Sequence, residues 1–335
     1  MSTSTITSAR RRVTGLRRLS WNGRVAVPTI IFAVVFTAFG LIHPRGISVI
    51  TMTPWADQQA ALGFAAAGQF MVVVTRGLDL SVGSVLALSN AVGSVMLNGS
   101  PLEIAGGMAV VLAVGALCGL LNGVAVVYGR VVPIIATLST GAIYSGLALW
   151  VRPTPGGDVA EILNDLFTNE VFGVIPTSLV LLFGVVYAIW SVLSRTILGR
   201  SLYAIGSSEA AAYMSGLRAD QVRLVAYMLS GFFAACGGLF LNFQTLSGDA
   251  SVGASYTLNS IAAVVIGGAS LAGGVGTVWG SILGAFVLRT IGAIMIFTSL
   301  PALAQPLFEG TVLLLAVSFS AIELVRAPNK LKALP

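Results

Sequence analysis

Asp79 is the residue whose type and setting are most suited to chemistry in this sequence. It belongs to the segment Gly77-Leu-Asp-Leu-Ser-Val-Gly83, which lies between two strongly apolar stretches. An acid flanked by membrane spans is costly, so it is paired, caps a helix or serves a transport path. Because Ser81 and Gly83 stand beside it, we expect Asp79 to accept hydrogen bonds from the first amides of a following helix. Capping is the favoured interpretation, and a place on a transport path is the alternative.

A second glycine-rich segment echoes this one near the other end of the chain. It reads Gly268-Ala-Ser-Leu-Ala-Gly-Gly-Val-Gly-Thr-Val278 and also joins two apolar stretches. Glycine-interrupted segments at matching positions of two halves point to transport sites in membrane proteins. The pattern predicts an internal duplication, and chance similarity between glycine-rich apolar segments is the alternative.

The residues needed for phosphate, zinc or triad chemistry are missing from the sequence. The only lysines are Lys330 and Lys332, so the chain has no G-x-x-x-x-G-K-[ST] phosphate loop. His43 is the only histidine, which leaves no zinc cluster and no Ser-His-Asp triad. Cys118 and Cys236 lie in apolar, glycine-rich runs and are expected to be buried small hydrophobes. We therefore expect no metal, no bound cofactor and no catalysis, and we disfavour an intramembrane enzyme.

The elements that position these residues are membrane helices. Of the 335 residues, 56% are hydrophobic and only 9% are charged, whereas soluble domains have about 25% charged residues. The net charge of +6 does not indicate a nucleic-acid partner, because six of the 18 basic residues precede the first apolar run. Such a basic flank sets orientation in a lipid bilayer.

The fold class predicted from this composition is an all-α integral membrane protein with about ten transmembrane helices. Residues 1–24 form a basic cytoplasmic segment, 25–325 the membrane domain with an uncleaved first span, and 326–335 a cytoplasmic tail. The segments 76–82 and 267–277 are either loops or breaks inside the membrane. The predicted spans are 25–42, 56–75, 80–98, 103–127, 131–150, 175–194, 223–244, 257–269, 277–298 and 303–325.

The basic residues predict that both termini lie in the cytoplasm. Ten spans with a cytoplasmic N-terminus place all but three of the 18 basic residues inside. The exceptions are Arg45 and Arg152, which lie outside, and Arg289, which lies within a span. Arg289 could pair with Glu309 if the last two helices pack together.

Two connections are long enough to hold structure of their own. The outward segment 152–174 carries four acids and is interpreted as a solvated loop, with a binding surface as the alternative. The inward segment 195–222 is the longest cytoplasmic connection. It contains a predicted short helix with Ser207 or Ser208 as cap, Glu209 in the first turn and Gly216 as the stop.

Glycines that recur every four residues predict two stripes on helix faces, where small residues let helices approach closely. We expect packing from them, not chemistry. The stripes are Gly115, Gly119 and Gly123, and Gly276, Gly280 and Gly284.

Four groups of motifs carry a family resemblance and together cover roughly residues 56–322. They are Gly77-Leu-Asp-Leu-Ser-Val-Gly83; Leu121-Asn-Gly123 with Pro133 and Ala136-Thr-Leu138; Gly199-Arg-Ser-Leu-Tyr-Ala-Ile-Gly206 with Glu209-Ala-Ala211 and Ser215-Gly216; and Ile261-Ala-Ala-Val-Val-Ile-Gly-Gly-Ala-Ser-Leu-Ala-Gly-Gly274. The sequence resembles the permeases of the ribose, xylose, arabinose and autoinducer-2 class of ATP-binding-cassette importers.

The sequence departs from this family at three places. Arg76 stands where the family usually has a second glycine before the first motif, and Val132-Pro133-Ile134 replaces the usual Pro-Pro-Phe. Glu309 stands where relatives commonly have lysine.

The resemblance implies a pair of permease subunits in a bacterial inner membrane, formed by two copies or by this chain and a similar one. Cytoplasmic ATPases that hold ATP and Mg²⁺ would drive the pair, and an external or periplasmic binding protein would deliver a monosaccharide or sugar-like solute. The ATPase-coupling residues that it implies are Glu209, Ala210, Ala211, Ser215, Gly216 and Leu217.

The candidates for the translocation path or its motifs are Asp79, Ser81, Asn122, Thr137 and Asn259. The alternative function is an ion-coupled secondary transporter, which would use an intramembrane acid such as Asp79 or Glu309.

Overall fold

The computed structural model describes residues 25–298 and five isolated positions at 304, 307, 310, 311 and 314. The predicted terminal segments 1–24 and 326–335 and Glu309 lie outside the described residues, as does most of the predicted span 303–325. The elements within 25–298 are α1 Val25–Ile42, α2 Val49–Val73, α3 Val82–Met96, α4 Pro101–Val127, α5 Pro133–Val151, α6 Glu161–Phe167, β1 Glu170–Val171, β2 Ile175–Pro176, α7 Thr177–Arg195, α8 Ile197–Ser207, α9 Glu209–Met214, α10 Ala219–Thr245, α11 Ala254–Ile266 and α12 Val278–Phe297.

Each of the nine predicted spans that fall within 25–298 coincides with a helix. Six of these helices are long and apolar enough to cross a membrane, namely α1, α4, α5, α7, α10 and α12. Helices α3 and α11 are apolar but shorter, because each adjoins one of the two glycine-rich segments. The helical membrane architecture is therefore confirmed, whereas the total of ten spans and the orientation of the termini stay predictions.

Helix α2 forms the centre of the molecule. Every residue from Gln59 to Val73 is buried, and the helix packs against α10, α12, α11 and α7. It carries polar side chains, including Asp57 and Gln69, which other helices cover. Helices α1 and α7 instead expose apolar side chains such as Ile30 and Val192. The polar helix is thus enclosed by protein, and the apolar faces are left for lipid.

The outward segment is more structured than the solvated loop that we favoured from sequence. It contains α6 and the antiparallel β1–β2 hairpin. The Thr53 hydroxyl of α2 donates to Glu170 Oε1 over 2.6 Å, and Phe167 stacks on Phe243 of α10 with ring centroids 4.6 Å apart. Side-chain contacts that sequence spacing does not reveal hold this segment against the helices.

Candidate functional site

Asp79 is buried in the turn between α2 and α3, where only 1% of its surface is exposed. Its Oδ1 accepts hydrogen bonds from the Ser81 amide at 3.0 Å and the Ser81 hydroxyl at 2.6 Å. Its Oδ2 accepts from the Ser230 hydroxyl of α10 at 2.8 Å. The bonded amide belongs to Ser81, one residue before α3 begins, so Asp79 stabilises the turn that enters the helix. Among the described residues, no cation forms a salt bridge with it.

Two more helices reach the same turn through hydrogen bonds. Asn122 of α4 donates from Nδ2 to the Ser81 hydroxyl at 2.7 Å, and the Tyr144 hydroxyl of α5 lies 3.2 Å from Asn122 Oδ1. The amide of Leu80 donates to Thr137 Oγ1 at 3.0 Å. The Asp79 network, as we call it, consists of Asp79, Ser81, Asn122, Thr137, Tyr144 and Ser230.

The Asp79 network brings together four of the five path or motif candidates. The fifth, Asn259, is buried on α11. Both oxygens of the Asp79 carboxyl group accept hydrogen bonds, which join the turn to α10. Asp79 does not cap the first amides of α3 as expected, because the amide that it binds is that of Ser81 before the helix, and its place on a transport path stays a prediction.

Replacement of Asp79 by alanine and by asparagine separates these two roles. We expect Asp79→Ala to lower the free energy of unfolding by about 2–3 kcal/mol, because the buried donors of Ser81 and Ser230 lose their acceptor. Asp79→Asn keeps an acceptor for Ser81 and should retain most solute uptake. Thermal melting of the detergent-solubilised protein and uptake in cells measure the two effects. An Asp79→Asn protein that melts normally but takes up nothing would contradict the structural role.

The second glycine-rich segment forms the break between α11 and α12. Thr277 caps α12 by accepting a hydrogen bond from the Gly280 amide at 3.0 Å. A side chain at Gly280 or Gly284 would collide with the backbone of α11, at the carbonyl groups of Gly267 and Ala263. Both glycines therefore permit the close approach of α11 and α12.

Gly276 does not belong to the helix-face stripe that its spacing predicts. Helix α12 begins at Val278, and Gly276 lies before it with φ +135. Because L-residues rarely adopt this backbone conformation, Gly276 serves the turn and not a helix contact. Spacing by four residues cannot distinguish a helix from the loop that precedes it.

The other glycine stripe lies on α4 against α10. A side chain at Gly115 would meet Ala235 and the Gly231 carbonyl, and one at Gly119 would meet the Tyr227 carbonyl. Across the contact, a side chain at Gly231 would meet the Gly115 carbonyl. The backbones of α4 and α10 are therefore in direct contact. This contact brings Asn122 of α4 and Ser230 of α10 close to the turn that contains Asp79.

The two breaks lie against each other at one end of the helices. The Gly274 amide of the second break donates to the Val74 carbonyl at the end of α2, over 2.8 Å. The echo between the two motifs in the sequence is therefore also a contact in space. Glycine-interrupted segments in corresponding positions are a pointer to the binding site in transporters, and the internal duplication stays a prediction.

Helix α9 has the boundaries expected from its capping residues. The Ser208 hydroxyl accepts from the Ala211 amide at 3.3 Å, and Glu209 lies in the first turn. After the helix, Gly216 has φ +75, and the Leu217 amide donates to the Ala212 carbonyl at 3.1 Å. This pattern is a Schellman ending, which requires a left-handed residue that glycine supplies most readily.

Helix α9 is fastened to α10 and presents two large side chains to solvent. Arg223 donates to both carboxylate oxygens of Glu209, at 2.8 and 2.7 Å. These hydrogen bonds lower the pKa of the Glu209 carboxyl, so the pair contributes fully at neutral pH and is lost only as pH falls through that lowered pKa. Tyr213 and Met214 are 79% and 83% exposed.

Sequence reasoning missed Ser230, Tyr144 and Arg223. Ser230 and Arg223 are 151 and 14 residues from the acids that they contact, and no local pattern joins them. The conditional pairing of Arg289 with Glu309 stays untested, because Glu309 lies outside the described residues. The Arg289 guanidinium lies over the Tyr256 ring of α11, 4.8 Å from the centroid, in a cation–π contact.

Comparison with known proteins identifies the family. The family described as branched-chain amino acid transport system / permease component matches residues 51–317. The autoinducer 2 import system permease protein of Enterobacter sp. (strain 638) is 35% identical over 84% of this chain and 83% of its own length. The ribose import permease protein of Haemophilus influenzae is 33% identical over 86% of this chain and 90% of its own.

Coverage by the relatives extends to nearly the whole chain. The ribose import permease protein of Escherichia coli (strain K12) is 32% identical over 95% of this chain and 98% of its own length. No solved structure matches the chain. The helices, the paired glycine-rich breaks and these matches together show that the chain belongs to the permease family that includes the ribose and autoinducer 2 import permeases.

Proposed function

We propose that this chain is the membrane subunit of an ATP-binding-cassette importer and forms the translocation path for a monosaccharide or sugar-like solute. The observation that carries the proposal is the similarity to ribose and autoinducer 2 import permeases over most of both chains. The chain itself binds no cofactor, and a separate cytoplasmic ATPase holds ATP and Mg²⁺. Two permease subunits, either identical or similar, enclose the path in a bacterial inner membrane.

The ATPase docks on α9 in this proposal. Tyr213 and Met214 form a projecting pair on a short, well-capped helix, and large exposed apolar side chains of this kind serve as anchors in protein interfaces. Glu209, Ala210, Ala211, Ser215, Gly216 and Leu217 define the shape of that helix or its ending. The Glu209–Arg223 ion pair connects α9 to α10, whose Ser230 belongs to the Asp79 network.

The external binding protein docks on the opposite side, on α6 and the β1–β2 hairpin. With both termini in the cytoplasm, this segment lies on the external side of the membrane, whereas α9 and the two breaks lie at the cytoplasmic side. Exposed acids alternate there with exposed apolar side chains. They are Asp158, Glu161 and Asp165, and Ile162, Leu166 and Phe172. A mixed surface of this kind suits a partner that binds and leaves repeatedly.

Purification of the intact complex tests the proposal. The tagged permease is extracted from its native cells, and the proteins that accompany it are identified by mass spectrometry. We expect an ATPase and a binding protein, and calorimetry on that binding protein then identifies the solute by titration with ribose and other monosaccharides. Uptake into liposomes that contain the permease alone and an ion gradient would overturn the proposal.

A further inference from the structure

Arg76 lies in the first break, the segment 74–81 between α2 and α3, and has an unusual backbone conformation. Its φ is +67, in the left-handed region that glycine adopts most readily. Glycine adopts this conformation without strain, so the backbone there does not depend on the arginine. What the arginine adds is its side chain.

The guanidinium of Arg76 binds two other segments at once. Its Nε lies 2.7 Å from the Gly206 carbonyl and 2.8 Å from the Ala272 carbonyl, and its Nη2 donates to the Ser207 carbonyl at 3.1 Å. Gly206 and Ser207 end α8, and a cation at the last carbonyls of a helix is favourable. Ala272 belongs to the second break. Arg76 therefore links both breaks to the end of α8.

Glycines allow these three segments to lie in backbone contact. A side chain at Gly206 would collide with the Val74 carbonyl and the Gly274 amide. A side chain at Gly273 would collide with the Arg76 side chain itself. The Tyr203 hydroxyl of α8 also donates to the Gly276 carbonyl at 3.2 Å. Because these backbones are in direct contact at Gly206 and Gly273, α8 cannot move without displacing both breaks.

The hydrogen bonds of Arg76 lie directly beside α9. Ser207, which accepts the hydrogen bond from Arg76, is followed by Ser208, the cap of α9. After Arg223, the positive charge of Arg76 also lowers the pKa of the Glu209 carboxyl. Arg76 therefore binds the residue that directly precedes the cap of α9, the helix on which the ATPase is proposed to dock.

We propose that Arg76 is a positioning residue that transmits the movement of α9 to the two membrane breaks, so that nucleotide events in the ATPase open and close the path. This inference rests on the proposed docking of the ATPase on α9. Arginine suits this role better than lysine, because the donors of its rigid planar fork hold carbonyls of separate segments in a fixed geometry, whereas the lysine ammonium is a point charge on a flexible stem.

The test measures how strongly the binding protein stimulates ATP hydrolysis by the full complex in liposomes. The binding protein is purified with the solute that it carries from the cell, and the ratio of ATPase rates with and without it is recorded. We expect Arg76→Gly to lower that ratio by about fivefold or more, the lower range of coupling between distant sites. Arg76→Lys should give an intermediate ratio.

Arg130→Gly is the matched control. Arg130 also has a positive φ, of +52, and its exposed side chain forms no hydrogen bond within the described part of the chain. Both glycine variants relieve the same backbone conformation, and only the one at Arg76 removes the link. We expect the Arg130→Gly complex to match the unmodified one, and all variants to co-purify with the ATPase in equal amounts.

Three results would overturn the inference. They are an unchanged ratio in Arg76→Gly, a ratio of one in the unmodified complex, and loss of the ATPase from the Arg76→Gly complex, which would make Arg76 a docking residue. Failure of the proposed function has a different signature, because no ATPase would then accompany the unmodified permease. Failure of the docking on α9 alone would leave the ATPase bound to a permease altered at Tyr213 and Met214.

Discussion

Replacement of both Tyr213 and Met214 by serine is expected to remove the ATPase from the purified complex. The two side chains are 79% and 83% exposed on α9, and burying one such anchor in a partner typically contributes about 2 kcal/mol. Loss of a single anchor weakens binding by roughly 30-fold, and loss of both weakens it further. The amount of ATPase that co-purifies with the tagged permease measures the effect, and solute uptake should fall with it.

The fold of the permease should survive this double substitution. Ser208, which caps α9, and Ala212, on the buried face of α9, are unchanged. The melting temperature is therefore expected to stay close to that of the unmodified protein. Tyr128→Ser is the control, because Tyr128 is 64% exposed at the end of α4 that the proposed orientation places in the cytoplasm. If the double variant co-purifies with as much ATPase as the control, the ATPase does not dock on α9.

Features determined by local sequence were predicted well. Hydropathy located nine of the helices between 25 and 298, because an apolar run long enough to cross lipid has few alternatives to a helix. The cap and stop of α9 followed from Ser208 and Gly216, since capping acts within a few residues of the helix end. The two breaks were visible as glycine-rich segments between apolar runs.

Features determined by tertiary contacts were not predicted. Asp79 was identified as unusual, yet its partner Ser230 lies on α10 and resembles any other serine in an apolar stretch. Arg76 was recorded only as a departure from a family pattern, although its guanidinium joins three segments. One sequence contains the residue types for these contacts, but the pairing depends on helix packing that it does not specify.

Boundaries were least predictable where helices are covered by protein and not by lipid. Helix α2 begins at Val49, seven residues before the predicted span, because its first turns contain Thr51, Thr53 and Pro54, which lower the hydropathy of that stretch. Both threonines are buried, and Thr53 donates a hydrogen bond to Glu170 of the outward segment, so protein covers this end of the helix. The same coverage explains why the outward segment folds into α6 and a hairpin.

Gly119→Ala and Gly106→Ala add the same methyl group to the same helix, and we expect opposite results. At Gly119 the new carbon would overlap the Tyr227 carbonyl of α10, a backbone atom that cannot move aside alone. Overpacking of this kind costs about 1–3 kcal/mol. At Gly106 nothing lies within 4 Å, so Gly106→Ala should leave the free energy of unfolding unchanged or raise it slightly.

The Gly119 substitution should also affect transport, because the contact positions the Asp79 network. Forcing α10 away from α4 moves Ser230 on one helix and Asn122 on the other, and both hold the turn between α2 and α3. We therefore expect Gly119→Ala to lower both the melting temperature and the uptake rate, and Gly231→Ala, across the same contact, to do the same. Equal melting temperatures for the Gly119 and Gly106 variants would show that α4 and α10 do not touch at these glycines.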